Sequence, residues 1–292
     1  PELLIDPIRH VFSGVGKRLR PLLTLFTAKT FGLDIEKSIN AAVSIEVLHN
    51  FTLVHDDIMD KDHLRHGKKT VNTKWDNDTA LLAGDAMLAL ALKKLNNYSE
   101  KPLVFPTFTK GLLAVCEGQA LDKEFETKAD VNIDEYLNMI DFKTGYLIGL
   151  AAELGAIISD ASLEEINLLK KFGIKIGRAF QIQDDILEIF SDTKTMGKSL
   201  KSDLILGKKT FLMIKGSEYN PNFSNEVRGL ISEDYESGII KIRKILKDNN
   251  IYQQGVDVIN DNFNDANLVL NSLAYDVKYL QYFTNLINNR KF

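Results

Sequence analysis

Cysteine occurs once, at position 116, in a chain of 292 residues. A single thiol excludes an intramolecular disulfide and a cysteine-rich metal site, and it fits a reducing, cytoplasmic location. Its plainest reading is a small buried apolar residue. Long apolar runs are missing as well. The two best stretches, residues 79–92 and 146–158, carry Asp85 and Glu153 and fall short of the ~18 apolar residues of a membrane span. Residues 1–12 scatter Glu2, Asp6, Arg9 and His10 among apolar positions, without the basic-then-apolar order of an export signal. The chain begins at Pro1, without Met, so removal of a few residues is expected. Neither sign of charge dominates: 36 Lys and Arg stand against 40 Asp and Glu. That balance excludes a polyanion-coating surface and a charged disordered tail, so any anion binding must be local. Lys68-Lys69 and Lys208-Lys209 lack aromatic interleaving, and no nucleic-acid partner is expected.

Proline is scarce too, with six in the chain, and alternating patterns bounded by turns are few. Apolar residues instead recur every three to four positions, which predicts an all-α fold. The expected helices cover about 17–31, 35–60, 79–97, 103–127, 132–157, 162–190 and 208–217, then 222–232, 234–248 and 263–289. Short repeats and low-complexity linkers are absent, so residues 1–292 are expected to form one domain. Two stretches break the periodicity, Lys61 to Asn77 and Ser191 to Lys209, and both are rich in Lys, Gly and Thr.

Each of those stretches follows an acidic cluster: Asp56-Asp57-Ile58-Met59-Asp60 and Asp184-Asp185-Ile186-Leu187-Glu188. Asp56 and Asp60 share a helical face, as do Asp184 and Glu188. His49 extends the first stripe and Gln181 the second. Like charges at that spacing repel, and a bound cation would offset the repulsion. Oxygen donors without a His or Cys set suit Mg²⁺, which in turn suits phosphate. A single cluster is as easily a solvated helix end; two of matching design point to a site. Positive partners stand in four places: Lys17, Arg18 and Arg20; Arg65 to Lys69; Lys143-Thr144; and Lys198 with Lys208-Lys209. Alone, each is more easily an exposed charge, but with the carboxylates they suggest diphosphate binding.

Over almost its whole length the chain resembles the trans-type polyprenyl (isoprenyl) diphosphate synthases. The pieces stand in family order: Gly16-Lys17-Arg18-Leu19-Arg20-Pro21, Leu53 to Asp60, Arg65-x-Gly67, Leu82-x-Gly84-Asp85, Gly118-Gln119-x-x-Asp122, Lys143-Thr144, Phe180-Gln181-x-x-Asp184-Asp185, Gly197-Lys198 and Gly207 to Thr210. The resemblance implies an isoprenoid-synthase helical bundle with a cavity between two acidic helices, and a homodimer. It implies that an allylic diphosphate ionises and that isopentenyl diphosphate attacks the cation. The departing diphosphate is then the expected proton acceptor. Asp56, Asp60 and Asp184 would ligate Mg²⁺ directly, with Asp57, Asp185 and Glu188 supporting. Arg65, Lys143, Thr144, Gln181, Lys198 and Lys208 would hold the allylic diphosphate; Lys17, Arg20 and His49 would hold isopentenyl diphosphate.

Three positions depart from the family pattern. His66 stands where most members have a second Arg near the isopentenyl diphosphate site, Glu188 replaces Asp, and Val15 replaces a glycine. Asp122 and Glu126 are expected to support or lie at the surface, Asp85 to be a buried paired carboxylate, and Trp75 to pack. Spacing puts Thr52 one turn below Asp56 and Phe51 to the side. On spacing alone Thr52 is the nearer liner of the product tunnel; the resemblance adds that an aromatic five residues before the first Asp, here Phe51, a small residue four before it, here Thr52, and no insertion within Asp-Asp-x-x-Asp mark the archaeal short-chain type. It implies geranylgeranyl diphosphate as product, with farnesyl diphosphate next. Two rivals are a terpene cyclase, which holds no second diphosphate substrate, and a noncatalytic partner subunit, which usually lacks acids of the first motif.

Overall fold

Most stretches with helical periodicity are α-helices in the computed structural model, which describes residues 1–14, 16–191 and 208–290. Lys198, Gly197, Gly207 and Val15 lie outside the described residues. The elements are α1 (Glu2–Phe12), α2 (Leu19–Thr30), α3 (Ile35–Met59), β1 (Leu64–Arg65), β2 (Lys68–Lys69), α4 (Val71–Lys74), α5 (Asn77–Leu95), α6 (Val104–Thr127) and α7 (Ile133–Ile140). A π-helical turn (Asp141–Gly145) leads into α8 (Tyr146–Ile158) and α9 (Leu163–Phe190). Then come α10 (Phe211–Tyr219), α11 (Phe223–Glu233), α12 (Tyr235–Asp248), α13 (Ile251–Asn271) and α14 (Lys278–Asn288). Side-chain caps fix several starts. The Asp76 carboxylate accepts from Thr79 N at 2.7 Å before α5, Asn132 and Glu135 form a capping box at α7, and Asp234 accepts from Ser237 N ahead of α12.

The chain divides into two compact units. Unit 1 comprises Pro1–Thr109, Leu150–Asn167 and Tyr275–Leu280. Its core packs α3 against α5, and both helices bury small residues there, Ala41, Ala42 and Ser44 on α3 and Ala80, Ala83 and Ala91 on α5. Ser44 Oγ donates to the Ala91 carbonyl at 2.9 Å, which satisfies a hydroxyl that would otherwise be costly to bury. Tyr98 closes one end, its hydroxyl donating to Lys37 O at 2.7 Å and accepting from Ala41 N at 3.2 Å. Leu23, Ile45, Leu48 and Met87 are fully buried, each contributing on the order of 2 kcal/mol.

Unit 2 comprises Lys110–Gly149, Leu168–Ala274 and Gln281–Phe292. Here the π turn and the start of α8 meet α9 backbone to backbone. A Cβ on Gly177 would lie 2.5 Å from Gly145 Cα, and one on Gly173 would lie 2.6 Å from Gly149 Cα. No other residue type fits that approach. Arg243 of α12 ties down the end of α9, donating to the carbonyls of Ile189 at 2.6 Å and Ser191 at 2.8 Å.

Five sequence expectations change. Residues 2–12 form a helix that the mixed charges concealed, and the 132–157 helix is interrupted by the π turn. The expected 263–289 helix is two, α13 and α14, separated at residues 272–277. Cys116 is exposed on α6, because the buried face of that helix is taken by neighbours such as Ala114 and Val115. Asp85 is mostly exposed, 3.9 Å from His55 Nε2, since the small residues Ala83 and Gly84 take the buried side of α5. Trp75 packs as expected, edge-on to His10 with Lys74 over its ring. Among the described residues no helix is long and apolar enough to cross a membrane.

Candidate active site

The first acidic cluster closes α3 in unit 1. Lys61 adopts left-handed backbone (φ 56), Asp62 N donates to the Asp57 carbonyl at 2.9 Å, and Lys61 N donates to that of Ile58 at 3.3 Å. This Schellman turn sets Asp56, Asp57 and Asp60 on the last helical turn, where the helix dipole is negative. Mutual repulsion and the dipole therefore both penalise the three charges. Positive charge relieves both.

Arg65 supplies part of it. Its Nε donates to Asp57 Oδ1 at 2.5 Å, and its Nη2 lies 3.4 Å from Asp62 and 3.8 Å from Asp56. Asp57 is buried, and burial pushes its carboxyl up to about 6 although Arg65 opposes the shift. Ionising it in the fold costs about 3 kcal/mol relative to its ordinary value of 3.8. This carboxyl thus favours folding below pH 3.8, and the benefit is lost as pH rises through 6. Asp57 is committed to Arg65 and the interior. Asp56 and Asp60 are half-buried one turn apart. Their oxygens suit a hard divalent ion that takes one or two carboxylates and completes its shell from water and phosphate. Among the described residues no three Asp, Glu, His or Cys converge to cage a metal without such help.

The basic segment after α3 is a hairpin pairing Leu64 with Lys69 and Arg65 with Lys68. His66 and Gly67, with φ 51 and 74, make a two-residue turn whose twist matches the strands. His66 is exposed at its tip. Lys68 Nζ donates to Ser13 O at 2.7 Å, tying the hairpin to the segment before α2. Lys17 in that segment is exposed and Arg20 is half-buried in the first turn of α2. Arg18 between them is a strut, paired with Glu46 and donating to Gly14 O at 2.9 Å.

His49, two turns before Asp56, lies among Arg20, Arg65, His66 and Arg18. Burial first and these cations second hold its imidazole well below 6.5, so it is neutral at pH 7 and offers a hydrogen bond without charge. Because the folded-state value lies below the unfolded one, the stability linked to His49 is intact above pH 6.5 and is lost as pH falls below it. Thermal melts from pH 7.5 to 5.5 should show a larger loss of Tm for the wild type than for His49→Gln; parallel curves would remove His49 as the titrating group. Beside it, Phe51 is buried with its ring 4.7 Å from that of His55. Thr52 is half-buried and its hydroxyl donates to His49 O at 2.8 Å. Gly84 makes room for His55, since a Cβ there would fall 2.2 Å from the imidazole Nε2.

Unit 2 carries the second cluster on α9. Asp185 is buried and fully engaged: Tyr136 donates its hydroxyl at 2.5 Å, Phe211 its backbone N–H at 3.0 Å, and Gln181 its amide at 3.2 Å. Burial, then the Asp185 charge, holds the Tyr136 hydroxyl well above its usual range, so it stays protonated as a donor. Gln181 in turn accepts from Thr144 Oγ1 at 2.9 Å. Asp184 is half-buried and pairs with Arg290 at 2.5 Å, the guanidinium lying 4.3 Å from the Phe180 ring centre. Glu188 is half-buried near Tyr235 and raises its hydroxyl after burial does.

Lys143 and Thr144 stand within the π turn, a distortion common where backbone is shaped for function. Lys143 Nζ meets Asp122 at 2.6 Å. Gly118 on α6 lies under this turn, and a Cβ there would stand 2.2 Å from Lys143 N. Lys208 is half-buried at the approach to α10, and Lys209 donates to Ala129 O at 3.3 Å. The motifs did not single out Tyr136, Arg290, Arg178 or the Phe211 amide. Each reaches its partner across the fold, where spacing carries no signal.

A polyprenyl synthetase family model matches residues 1–248. A geranylgeranyl diphosphate synthase of Saccharolobus solfataricus is 45% identical over 213 residues, 70% of this chain and 64% of that protein. The chain thus spans just under two thirds of that relative's length. A geranylfarnesyl diphosphate synthase of Aeropyrum pernix is 41% identical over 223 residues, 73% of this chain and 70% of its own. The crystal structure of a geranylgeranyl pyrophosphate synthetase from Pyrococcus horikoshii superposes with a TM-score of 0.91 at 34% identity, covering 100% of this chain and 92% of that one. The all-α architecture is thereby shared with solved prenyl synthases.

Proposed function

Because the chain belongs to the polyprenyl synthetase family, we propose that residues 1–292 form one polyprenyl synthase domain that joins isopentenyl diphosphate head to tail to an allylic diphosphate, with geranylgeranyl diphosphate as the main product. The observation that carries this reading is the carboxylate pair Asp56 and Asp60 at the negative end of α3, with Arg65 3.8 Å from Asp56 and, earlier on the same helix, a neutral His49 held near Arg20 and Arg65. Asp184 and Glu188 form the corresponding pair in unit 2, with Lys143, Thr144 and Gln181 supplying a cation, a hydroxyl and an amide.

Mg²⁺ fits these oxygen-only pairs. Asp56, Asp60 and Asp184 would hold it, and bound there it supplies positive charge to a leaving diphosphate. The chain's own residues do the rest. The family resemblance assigns Lys143, Thr144 and Gln181, with Arg65, Lys198 and Lys208, to the allylic diphosphate, where negative charge develops as the C–O bond breaks. The electron pair of that bond leaves with the diphosphate. Lys17, Arg20 and His49 orient isopentenyl diphosphate so that its π electrons form the new C–C bond. Proton loss to the departed diphosphate restores a double bond. Asp57 and Asp185 keep the acidic turns in place through Arg65 and Tyr136. A homodimer is supported by Ile35, Ile39 and Val43, an exposed apolar row at helical spacing on α3.

The names of the relatives support a short-chain product of twenty carbons, with twenty-five as the second reading. The test is product analysis with Mg²⁺, isopentenyl diphosphate and each of dimethylallyl, geranyl and farnesyl diphosphates. Geranylgeranyl diphosphate is expected to dominate. Phe51→Ala is expected to shift products to twenty-five carbons or more, because it removes a buried ring; unchanged length would take Phe51 off the floor of the product site. A fifteen-carbon end product would favour farnesyl diphosphate synthase. Cyclised hydrocarbon without isopentenyl incorporation would point to a cyclase, and no turnover at all to a partner subunit.

A further inference from the structure

Two polar rungs join the π turn to α9. Arg178 grips Asp141, donating through Nε to Oδ1 at 2.8 Å and through Nη2 to Oδ2, a two-pronged fork. Thr144 donates to Gln181 at 2.9 Å. The rungs are three residues apart on both elements, 141 to 144 and 178 to 181. Between the same two elements, the close contact of Gly145 with Gly177 brings the backbones together. The turn is thus fixed at its first residue by the fork and at its last by backbone contact. Lys143 and Thr144 lie between these fixed points.

A π turn wastes helical hydrogen-bond geometry and persists where its surroundings impose it. Asp141 and Arg178 are both largely shielded, with 16% and 24% of their side chains exposed, and a charge-assisted fork in such a place is strong and directional. We infer that Arg178 is a positioning residue: through Asp141 it holds the π turn in the register that presents Lys143 and Thr144 to the allylic diphosphate. Without the fork the turn can relax toward α-helical register, which rotates both donors. The inference rests on the reading of Lys143 and Thr144 as allylic-diphosphate ligands, and its test separates the two.

Steady-state kinetics of Arg178→Met, Arg178→Lys and Asp141→Asn are compared with Lys143→Ala, alongside calorimetric titration of each protein with inorganic diphosphate and Mg²⁺. The expected result for Arg178→Met is a tenfold or greater rise in KM for the allylic diphosphate, matching weaker diphosphate binding, with KM for isopentenyl diphosphate within twofold of wild type. Arg178→Lys, which keeps the charge but not the fork, should recover part of the loss. Should Arg178→Met be too unstable to assay, Arg178→Lys and Asp141→Asn carry the same comparison. If Lys143→Ala weakens allylic binding while the fork variants lower only Tm, Arg178 is structural and the inference falls, leaving the function intact. Equal rises in both KM values, or a fall in kcat alone, would also overturn it. If Lys143→Ala itself leaves allylic binding unchanged, the assignment of Lys143 fails and takes the inference with it.

Discussion

Alanine in place of Asp56 is expected to lower kcat/KM for condensation roughly 10³-fold, about 4 kcal/mol of lost transition-state stabilisation. Three carboxylates share the last turn of α3, but their surroundings divide them. Asp57 is buried against Arg65, whereas Asp56 and Asp60 are half-buried one turn apart. Removing Asp56 also removes one of three like charges from the negative end of a helix, so the fold should not suffer. The expected signature is therefore a collapse in rate with Tm held or slightly raised, together with weaker binding of Mn²⁺ as a spectroscopic probe. Less than a tenfold loss of kcat/KM would remove Asp56 from the reaction.

Gly118→Ala should cost about 3 kcal/mol of stability, the upper part of the range for forcing atoms into a packed interior. The added methyl would stand 2.2 Å from Lys143 N and 2.6 Å from Phe142 C, both backbone atoms within the π turn. A flexible side chain could swing aside; a main chain fixed at both ends cannot. Surviving protein should bind the allylic diphosphate more weakly, because the atoms displaced are those that carry Lys143. Melting and kinetics on one preparation check both effects. An unchanged Tm with an unchanged KM for the allylic diphosphate would mean that α6 simply moves away.

Much of this could be read in the sequence because periodicity survives folding. Helices α3, α5, α6 and α9 fall close to their expected bounds. Helix α1 was hidden by Pro7 and by alternating charges, and it is held by contacts no local pattern reports, such as His10 Nε2 meeting Lys69 O at 2.7 Å. The break between α13 and α14 has neither Gly nor Pro to announce it; Asp276 marks the restart by accepting from Lys278 N at 3.2 Å. The π turn was legible only as an oddity, Lys-Thr-Gly within an apolar run, because the groups that meet it, Gly118 and Arg178, come from other helices.

The candidate site shows the same division. Carboxylate spacing put Asp56 and Asp60 on one face and left the surroundings of Asp56 and Asp57 undetermined. Burial separates them, and burial depends on Arg65 arriving from a hairpin. Tyr136 stands 49 residues from Asp185 and Arg290 stands 106 from Asp184. Partners at such distances follow from topology and not from spacing.

The Schellman turn at the end of α3 has a bearing on heat resistance. An L-residue at φ 56 gives up on the order of 1 kcal/mol that glycine would keep, and Lys61 is exposed and paired with neither member of the acidic pair in any contact described above. The helix end that presents the candidate ligands therefore holds an unused reserve of stability. It could be drawn on to harden the protein without altering a single group assigned to the chemistry.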